Sequence, residues 1–446
     1  MHRRRVLVFV AVAAIAVLVV LPMAAQDRAT AFVNVSVIPM DRETVLADQT
    51  VIVQGDRIAA VGPSSKVTVP EGAQRIDGKG RFLLPTLAEM HGHIPPAPEE
   101  ALPDAAIESI LEMYVDGGIG LVRGMLGHPR HLEFRKRASS GTIISPHIIT
   151  SGPSLNGKSV PNAEAAEQMV RQQKQAGYDL LKIHPGITPD AFETLAKTAK
   201  AVDIRFSGHV PVEVGVYRAL ELGYETIDHL DGYVEALAGQ VGKPSQFFGM
   251  NMIASIDESK IPDLVAKTKA AGTWMVPTEA LIENAAGTIA VEELTKRPEI
   301  VKHASANEIA QWTKAKAGLA SLAPEADRQK FIETRRKLIR ALHAGGVPFL
   351  LGSDAPQMWN IPGYSVHREL QALVASGLTP YQALQTGTVN VARFLRREST
   401  SGTIARGKTA DLFLVTGNPL GDISRTMGIV GVMIRGRYYP SRTSEK

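Results

Sequence analysis

Two histidines one residue apart, His91 and His93, are the strongest local chemical signal in the chain. On an extended strand residues i and i+2 face the same way, so both imidazoles can reach one ion. An H-x-H pair alone is weak evidence, because exposed or core histidines share the spacing. Its position adds weight, since it closes an apolar run over residues 88–91. Four more residues of ligand type sit at the ends of similar runs. Lys182 lies within 180–183, His209 follows 204–207, His229 follows 225–228, and Asp354 follows 348–351. A lysine inside an apolar strand is costly if charged and unpaired. It must reach solvent, pair with a carboxylate such as Asp179, or exist as the neutral amine. Gly352 and Ser353 are too small to block access to Asp354. A structural role is the plainer reading of any one of these residues. All of them at strand ends of one fold are hard to attribute to chance. The chain has no cysteine, which rules out disulfides and thiolate zinc sites. A metal would be held by His nitrogen and oxygen, a donor set that favours a catalytic over a structural site.

The elements that must position these residues alternate. Between about 82 and 395, short apolar runs at 88–91, 120–123, 147–150, 180–183, 204–207, 225–228, 274–277 and 348–351 are separated by helical stretches such as 163–176 and 189–201. Eight such repeats predict an α/β fold with a (β/α)8 TIM-like barrel, whose chemistry gathers at the carboxyl ends of the strands. The stretch 279–346 is too long for one crossover and predicts extra helices near the barrel mouth, as a lid. Before the barrel, residues 31–38, 49–53 and 57–61 are β-branched and punctuated by Gly55-Asp56, Gly62-Pro63 and Asp77-Gly78. After it, 411–415 and 428–434 alternate again. The simplest assembly is a small β-sandwich domain from both chain ends, residues 27–84 and 396–446, with the barrel, residues 85–395, inserted between them.

Among the 446 residues, 44% are apolar and 21% charged, which is ordinary globular composition. The net charge of +4 is small, and no Lys/Arg stripe with interleaved aromatics supports nucleic-acid binding. Arg3 to Arg5, then an uncharged apolar run from Val6 to Leu21, then Ala24 and Ala25, have the three-part layout of a signal peptide over residues 1–26. The expectation is a periplasmic or secreted protein. The alternative is a membrane anchor formed by residues 6–25, and otherwise no membrane contact.

Residues 84–93, Leu181 to His184, Ser207 to His209, Ile227 to His229 and Gly352 to Asp354, with a closing run from His367 through Asn390 to Leu412, resemble the amidohydrolase superfamily. Within it they resemble the imidazolonepropionase-like branch, which includes metal-dependent dipeptidases. The resemblance implies that His91, His93 and Asp354 bind the more buried of two divalent ions, zinc by default. It implies that Lys182 is carbamylated and bridges the ions, and that His209 and His229 bind the more exposed one. Asp354 would also be the catalytic acid/base. The chain departs from the family at Thr86, where glycine is usual, and has Val210-Pro211 after His209 where some dipeptidases of the branch have tyrosine. His184, Tyr233, Tyr364 and His367 fall just after strand ends and are candidate substrate contacts. The implied activity is hydrolysis of C–N (amide) bonds in small molecules such as N-acyl amino acids or dipeptides. Lactone, ester or phosphoester hydrolysis at the same binuclear site is the alternative, and an inactive exported metal-binding protein is a third reading. A homo-oligomer is compatible with the sequence.

Overall fold

The computed structural model describes residues 28–95, 102–240 and 242–441. The proposed signal segment, residues 1–26, lies outside them. No helix among the described residues is long and apolar enough to cross a membrane. Fifteen named strands occur along these residues. They are β1 (Thr30–Val37), β2 (Leu46–Gln54), β3 (Arg57–Pro63), β4 (Gln74–Asp77), β5 (Phe82–Pro85), β6 (Leu87–Gly92), β7 (Ile119–Gly124) and β8 (His147–Thr150). They continue as β9 (Leu180–Ile183), β10 (Arg205–Gly208), β11 (Thr226–Asp228), β12 (Trp274–Val276), β13 (Leu412–Val415), β14 (Ile429–Ile434) and β15 (Arg437–Pro440).

The fold is mixed α/β with parallel sheets. β6, β7 and β8 form one parallel sheet, and β9 to β12 form another in chain order. Single parallel bridges, Ser151 to Leu180 and Leu155 to Ile183, connect the two. Residues 348–351 form no named strand but bridge β12 through Met275 and Phe349. On their other side they meet β6: Met90 N donates to Leu351 O at 2.8 Å, and Asp354 N donates to His91 O at 2.7 Å. The run of eight parallel segments thus returns to its first member. Buried Leu, Ile, Val and Phe from these strands and the helices around them form one continuous core.

The helices end where local chemistry dictates. Asn162 caps Ala163–Ala176 by accepting from Ala165 N, and Gly177 at φ 85° closes it. Thr188 caps Pro189–Ala201, with proline in the first turn, where no partner for an N–H is needed. The long stretch before the last parallel segment holds helices at Glu279–Ala286, Val291–Thr295, Pro298–His303, Ala306–Ala320 and Glu325–Ala344. Lys316 ties this group together by donating to Asn284 O at 2.7 Å and Gly287 O at 2.9 Å.

Strands from both chain ends pair in one eight-stranded sheet, in the order β15-β14-β13-β5-β1-β2-β3, with β4 also on β1. Strand pairing therefore joins the two chain ends in one sheet. The sheet does fold back on itself. β1 and β15 are four strands apart, roughly 19 Å across a flat sheet, yet the Phe32 and Tyr438 rings lie 5.7 Å apart. Val35, Val51, Ile58, Leu83, Leu412 and Met433 fill the space enclosed.

Candidate metal centre

The carboxyl ends of β6, β9, β10 and β11, with the chain after residue 351, surround a cavity of about 680 Å³. His91, His93, Lys182, His209, His229 and Asp354 all line it. His93 Nε2 lies 2.6 Å from Asp354 Oδ1, His91 Nε2 lies 3.6 Å from the same oxygen, and His229 Nε2 lies 3.8 Å from Asp354 Oδ2. Lys182 Nζ is 3.4 Å from His91 Nε2. The His209 and His229 rings are 4.7 Å apart. One ligand atom from each of His91, His229 and Asp354 falls within 4.8 Å of the others, a spacing one ion could bridge.

The opposite ring nitrogens are held from behind. His209 Nδ1 is 3.0 Å from Asp231 Oδ2, and His229 Nδ1 is 2.7 Å from Thr278 Oγ1. His91 Nδ1 is 2.9 Å from Asp228 Oδ2, though off the line of a full hydrogen bond. Outer partners of this kind fix the orientation and tautomer of histidine ligands. Non-glycine residues at the site take left-handed backbone, among them His229, Thr278 and Asp354 with φ of 61°, 52° and 60°. Left-handed backbone at such residues is disfavoured and must be held by its surroundings. The buried Arg335 provides part of that hold: it donates to His229 O at 2.8 Å and pairs with Glu279 at 2.9 Å. Glu89 ties the first and last parallel segments together by accepting from His91 N at 3.0 Å and Ser353 N at 2.9 Å. Ser353 Oγ donates to its other oxygen.

Protonation suits a cation. Burial, then the Lys182 charge, lowers His91 well below the ordinary histidine range, and burial followed by His91 does the same to His229. Burial thus favours the neutral form of both, which has a lone pair to donate. Burial also lowers Lys182, against the pull of Asp228. Burial alone would raise Asp354, but His91 and His93 bring it down to about 2. The donor set is neutral imidazoles, a readily neutralised amine and a carboxylate, which is the chemistry a divalent ion of zinc type requires.

The other sequence candidates divide. His184 lines the cavity, with Nδ1 2.8 Å from Ser154 Oγ and its ring 5.1 Å from that of His209. Burial, then Lys182, lowers it to about 2. Tyr233, Tyr364 and His367 are not among the residues that line the cavity. Tyr233 is fully buried on the short helix Tyr233–Leu237, its hydroxyl 2.8 Å from Thr268 Oγ1. His367 is buried on Ser365–Ala375 with Nε2 2.9 Å from Gly117 O. Tyr364 packs against His303. In each case the chain turns after the strand end and carries the side chain into packing between elements. Asp228, Asp231, Thr278 and Glu89 were not anticipated, nor were Glu235, Phe247 and Phe248, which line the cavity. Carboxylates one residue before and two after His229 were a visible signal for Asp228 and Asp231.

The amidohydrolase family profile matches residues 82–438. The chain is 26% identical over 387 residues to imidazolonepropionase of Caulobacter vibrioides (strain NA1000 / CB15N), spanning 82% of this chain and 87% of that protein. It is 22% identical over 397 residues to adenine deaminase 3 of Rhizobium meliloti (strain 1021), spanning 87% of this chain and 53% of that one. Among solved structures, a Xaa-Pro dipeptidase with bound methionine in its active site aligns with a TM-score of 0.68 at 20% identity, over 92% of this chain and all of its own. Molinate hydrolase aligns at 0.66 and 17% identity, over 94% of this chain and 96% of its own.

Proposed function

Because this chain belongs to the amidohydrolase family, whose members are metal-dependent, we propose that it cleaves C–N (amide) bonds of small substrates with a metal-activated water. The observation that carries this reading is the convergence of His91, His93, Lys182, His209, His229 and Asp354 on one cavity, with outer partners already engaged. These residues would hold two divalent ions, zinc by default for His and carboxylate donors. The ions would lower the pKa of a water and polarise the scissile carbonyl. In its neutral form, which burial favours, the Lys182 amine would add carbon dioxide and lose a proton, giving an anionic carbamate that would serve both ions. Asp354 would accept the proton of the attacking water and return it to the leaving nitrogen. His184, beside His209, would contact substrate.

The finer architecture belongs to the same reading. The eight parallel segments form a closed (β/α)8 barrel, residues 85–395, and the curled sheet of residues 27–84 and 396–446 is a composite β-sandwich domain. Residues 1–26 act as a signal peptide and place the mature protein in the periplasm or outside the cell. An exported enzyme would meet peptide fragments and acyl amides before uptake.

The test is a panel of dipeptides, N-acyl amino acids, cyclic amides, lactones and phosphotriesters, assayed with zinc, manganese and cobalt. Amide turnover by protein carrying about two ions per chain is the expected result. If only lactones or phosphoesters turn over, the amide reading is replaced by its alternative.

A further inference from the structure

We infer that Glu235, which lines the same cavity as Phe247 and Phe248, forms a subsite for a protonated amine, so that the substrate carries a cationic nitrogen near its scissile carbonyl group. This deepens the hydrolase reading and rests on it.

The cavity has an uneven charge pattern. Among the described residues that line it, Lys182 is the single Lys or Arg, and it is buried among the candidate ligands. The nearby Arg335 is taken up by Glu279 and the His229 carbonyl. A substrate carboxylate would therefore find no guanidinium or free ammonium there. The opposite charge is present on the wall, as Asp231 and Glu235. Asp231 has a partner in His209. Glu235 is only 5% exposed. Its Oε1 accepts from Ser245 Oγ at 2.5 Å, while its Oε2 has no hydrogen-bond partner among the described residues. A buried carboxylate oxygen left without a partner is expensive, and a positive ligand removes the expense. Burial, with Asp231 nearby, raises Glu235 to about 7, as expected for a carboxylate that lacks its counter-cation.

The neighbouring segment supplies the rest. Phe247, Phe248 and Gly249 are consecutive left-handed residues, at φ of 42°, 57° and 85°. Ser245 Oγ holds this turn, accepting from Gly249 N at 2.9 Å while donating to Glu235. The turn lays Phe248 against the ligand rings, 5.2 Å from His229 and stacked 6.0 Å from His209. Phe247 lies 5.1 Å from Phe248. The left-handed turn thus places two aromatic rings beside the candidate metal ligands, on the wall of the cavity that Glu235 also lines. Aromatic faces beside a carboxylate suit an ammonium through both charge and ring quadrupole. An amino-terminal free dipeptide or other aminoacyl amide has this chemistry, whereas an N-acyl amino acid offers the opposite charge.

Acyl hydroxamates can test the subsite, because their metal-binding group is constant while the far end of the chain varies. Series of two to six carbons ending in ammonium, methyl or carboxylate are titrated calorimetrically into the zinc-loaded protein. The matching p-nitroanilides are assayed for release of p-nitroaniline. We expect an ammonium-ended hydroxamate to bind about tenfold or more tighter than its methyl counterpart, the scale of a charge-assisted hydrogen bond. The carboxylate series should bind weakest, and Glu235→Gln should abolish the ammonium preference. Equal or tighter binding by methyl or carboxylate ends overturns the subsite, and that comparison needs only the wild-type protein. A preference that survives in folded Glu235→Gln also overturns it. Ammonium preference without any anilide turnover keeps the subsite and removes the C–N hydrolase reading. Turnover without ammonium preference does the reverse.

Discussion

At the amino ends of β6 to β8 a cavity of about 280 Å³ is lined by Arg57, Thr86, His147, Thr388 and Asp411, and at the carboxyl ends the histidine-lined cavity holds about 680 Å³. Both mix charged, hydroxyl and imidazole groups. They differ in where those groups point. At the amino end the polar atoms find each other. His147 Nε2 is 3.1 Å from Asp411 Oδ2, Arg435 N donates to Asp411 Oδ1 at 2.8 Å, and Arg435 Nη1 donates to Ser145 O at 3.0 Å. These contacts tie the curled sheet to the parallel strands. At the carboxyl end His209 and His229 each hold an outer partner with one ring nitrogen, and the imidazoles gather around a shared centre. Polar groups that satisfy one another make a joint, and polar groups that converge on space make a site.

Breaking the carboxyl end should cost function more than fold. The largest effect is expected for Asp354→Asn. Asp354 lies beside three imidazoles, and its amide analogue keeps the shape but cannot accept the water proton. Turnover should fall by about 10²- to 10⁴-fold, with the far-ultraviolet dichroism unchanged. Near-normal turnover in that variant would assign the proton transfer to another group.

A smaller loss is expected one layer out. Asp228 is fully buried, 2.9 Å from His91 Nδ1 and 3.5 Å from Lys182 Nζ. Asp228→Asn should weaken zinc binding by about 10- to 100-fold, the usual range for partners that orient a ligand. Competition with a chelator at fixed free zinc measures it. Unchanged affinity would mean that packing alone orients His91.

The legibility of the two ends from sequence differs for the same physical reason. Strands are short apolar runs with local punctuation, so the eight parallel segments stand out, and a polar residue that closes such a run is conspicuous. His91, His93, His209, His229 and Asp354 at or just after the ends of such runs, and Lys182 within one, drew notice in this way, and the structure lines one cavity with all six; their roles as ligands came from the family resemblance. The joint at the amino end was not legible. Asp411 and His147 are 264 residues apart, and neither ends an apolar run in a manner that marks a partner. Phe248 was hidden because a left-handed turn, not a periodic element, brings it to the cavity, and Glu235 because it sits on a five-residue helix too short to show a period. The fold-back that puts Tyr438 on Phe32 depends on sheet twist accumulated over several strands, which no local window contains.

The amino-end joint should behave as a stability element with a defined pH response. Burial alone would raise Asp411, but the hydrogen bond and charge of His147, with Arg435, bring it below its ordinary 3.8. A carboxylate depressed in the folded state stabilises above its unfolded pKa, and that contribution is lost as pH falls through the folded one. Asp411→Asn should lower stability by about 1–3 kcal/mol at neutral pH, leaving zinc content unchanged. Its deficit against wild type should shrink as pH drops below 3.8. A deficit independent of pH in urea titrations would assign the cost to lost packing.

The smallest effect is expected at Tyr233, which separates position in sequence from position in space. Tyr233 follows His229 by four residues, close enough to suggest a substrate contact. The chain turns at Gly232, φ 82°, and sends the ring inward, where its hydroxyl meets Thr268. Tyr233→Phe keeps the ring and removes the hydroxyl's buried contacts with Thr268 Oγ1 and Met275 Sδ, leaving Thr268 Oγ1 bonded to Leu264 O at 2.7 Å. Stability should fall by about 0.5–1.5 kcal/mol, read as a lower urea midpoint at constant slope. KM for whichever amide the wild type turns over should not move, because the ring stays in the core. A several-fold rise in KM with stability unchanged would return the hydroxyl to the substrate and contradict its place in the packing.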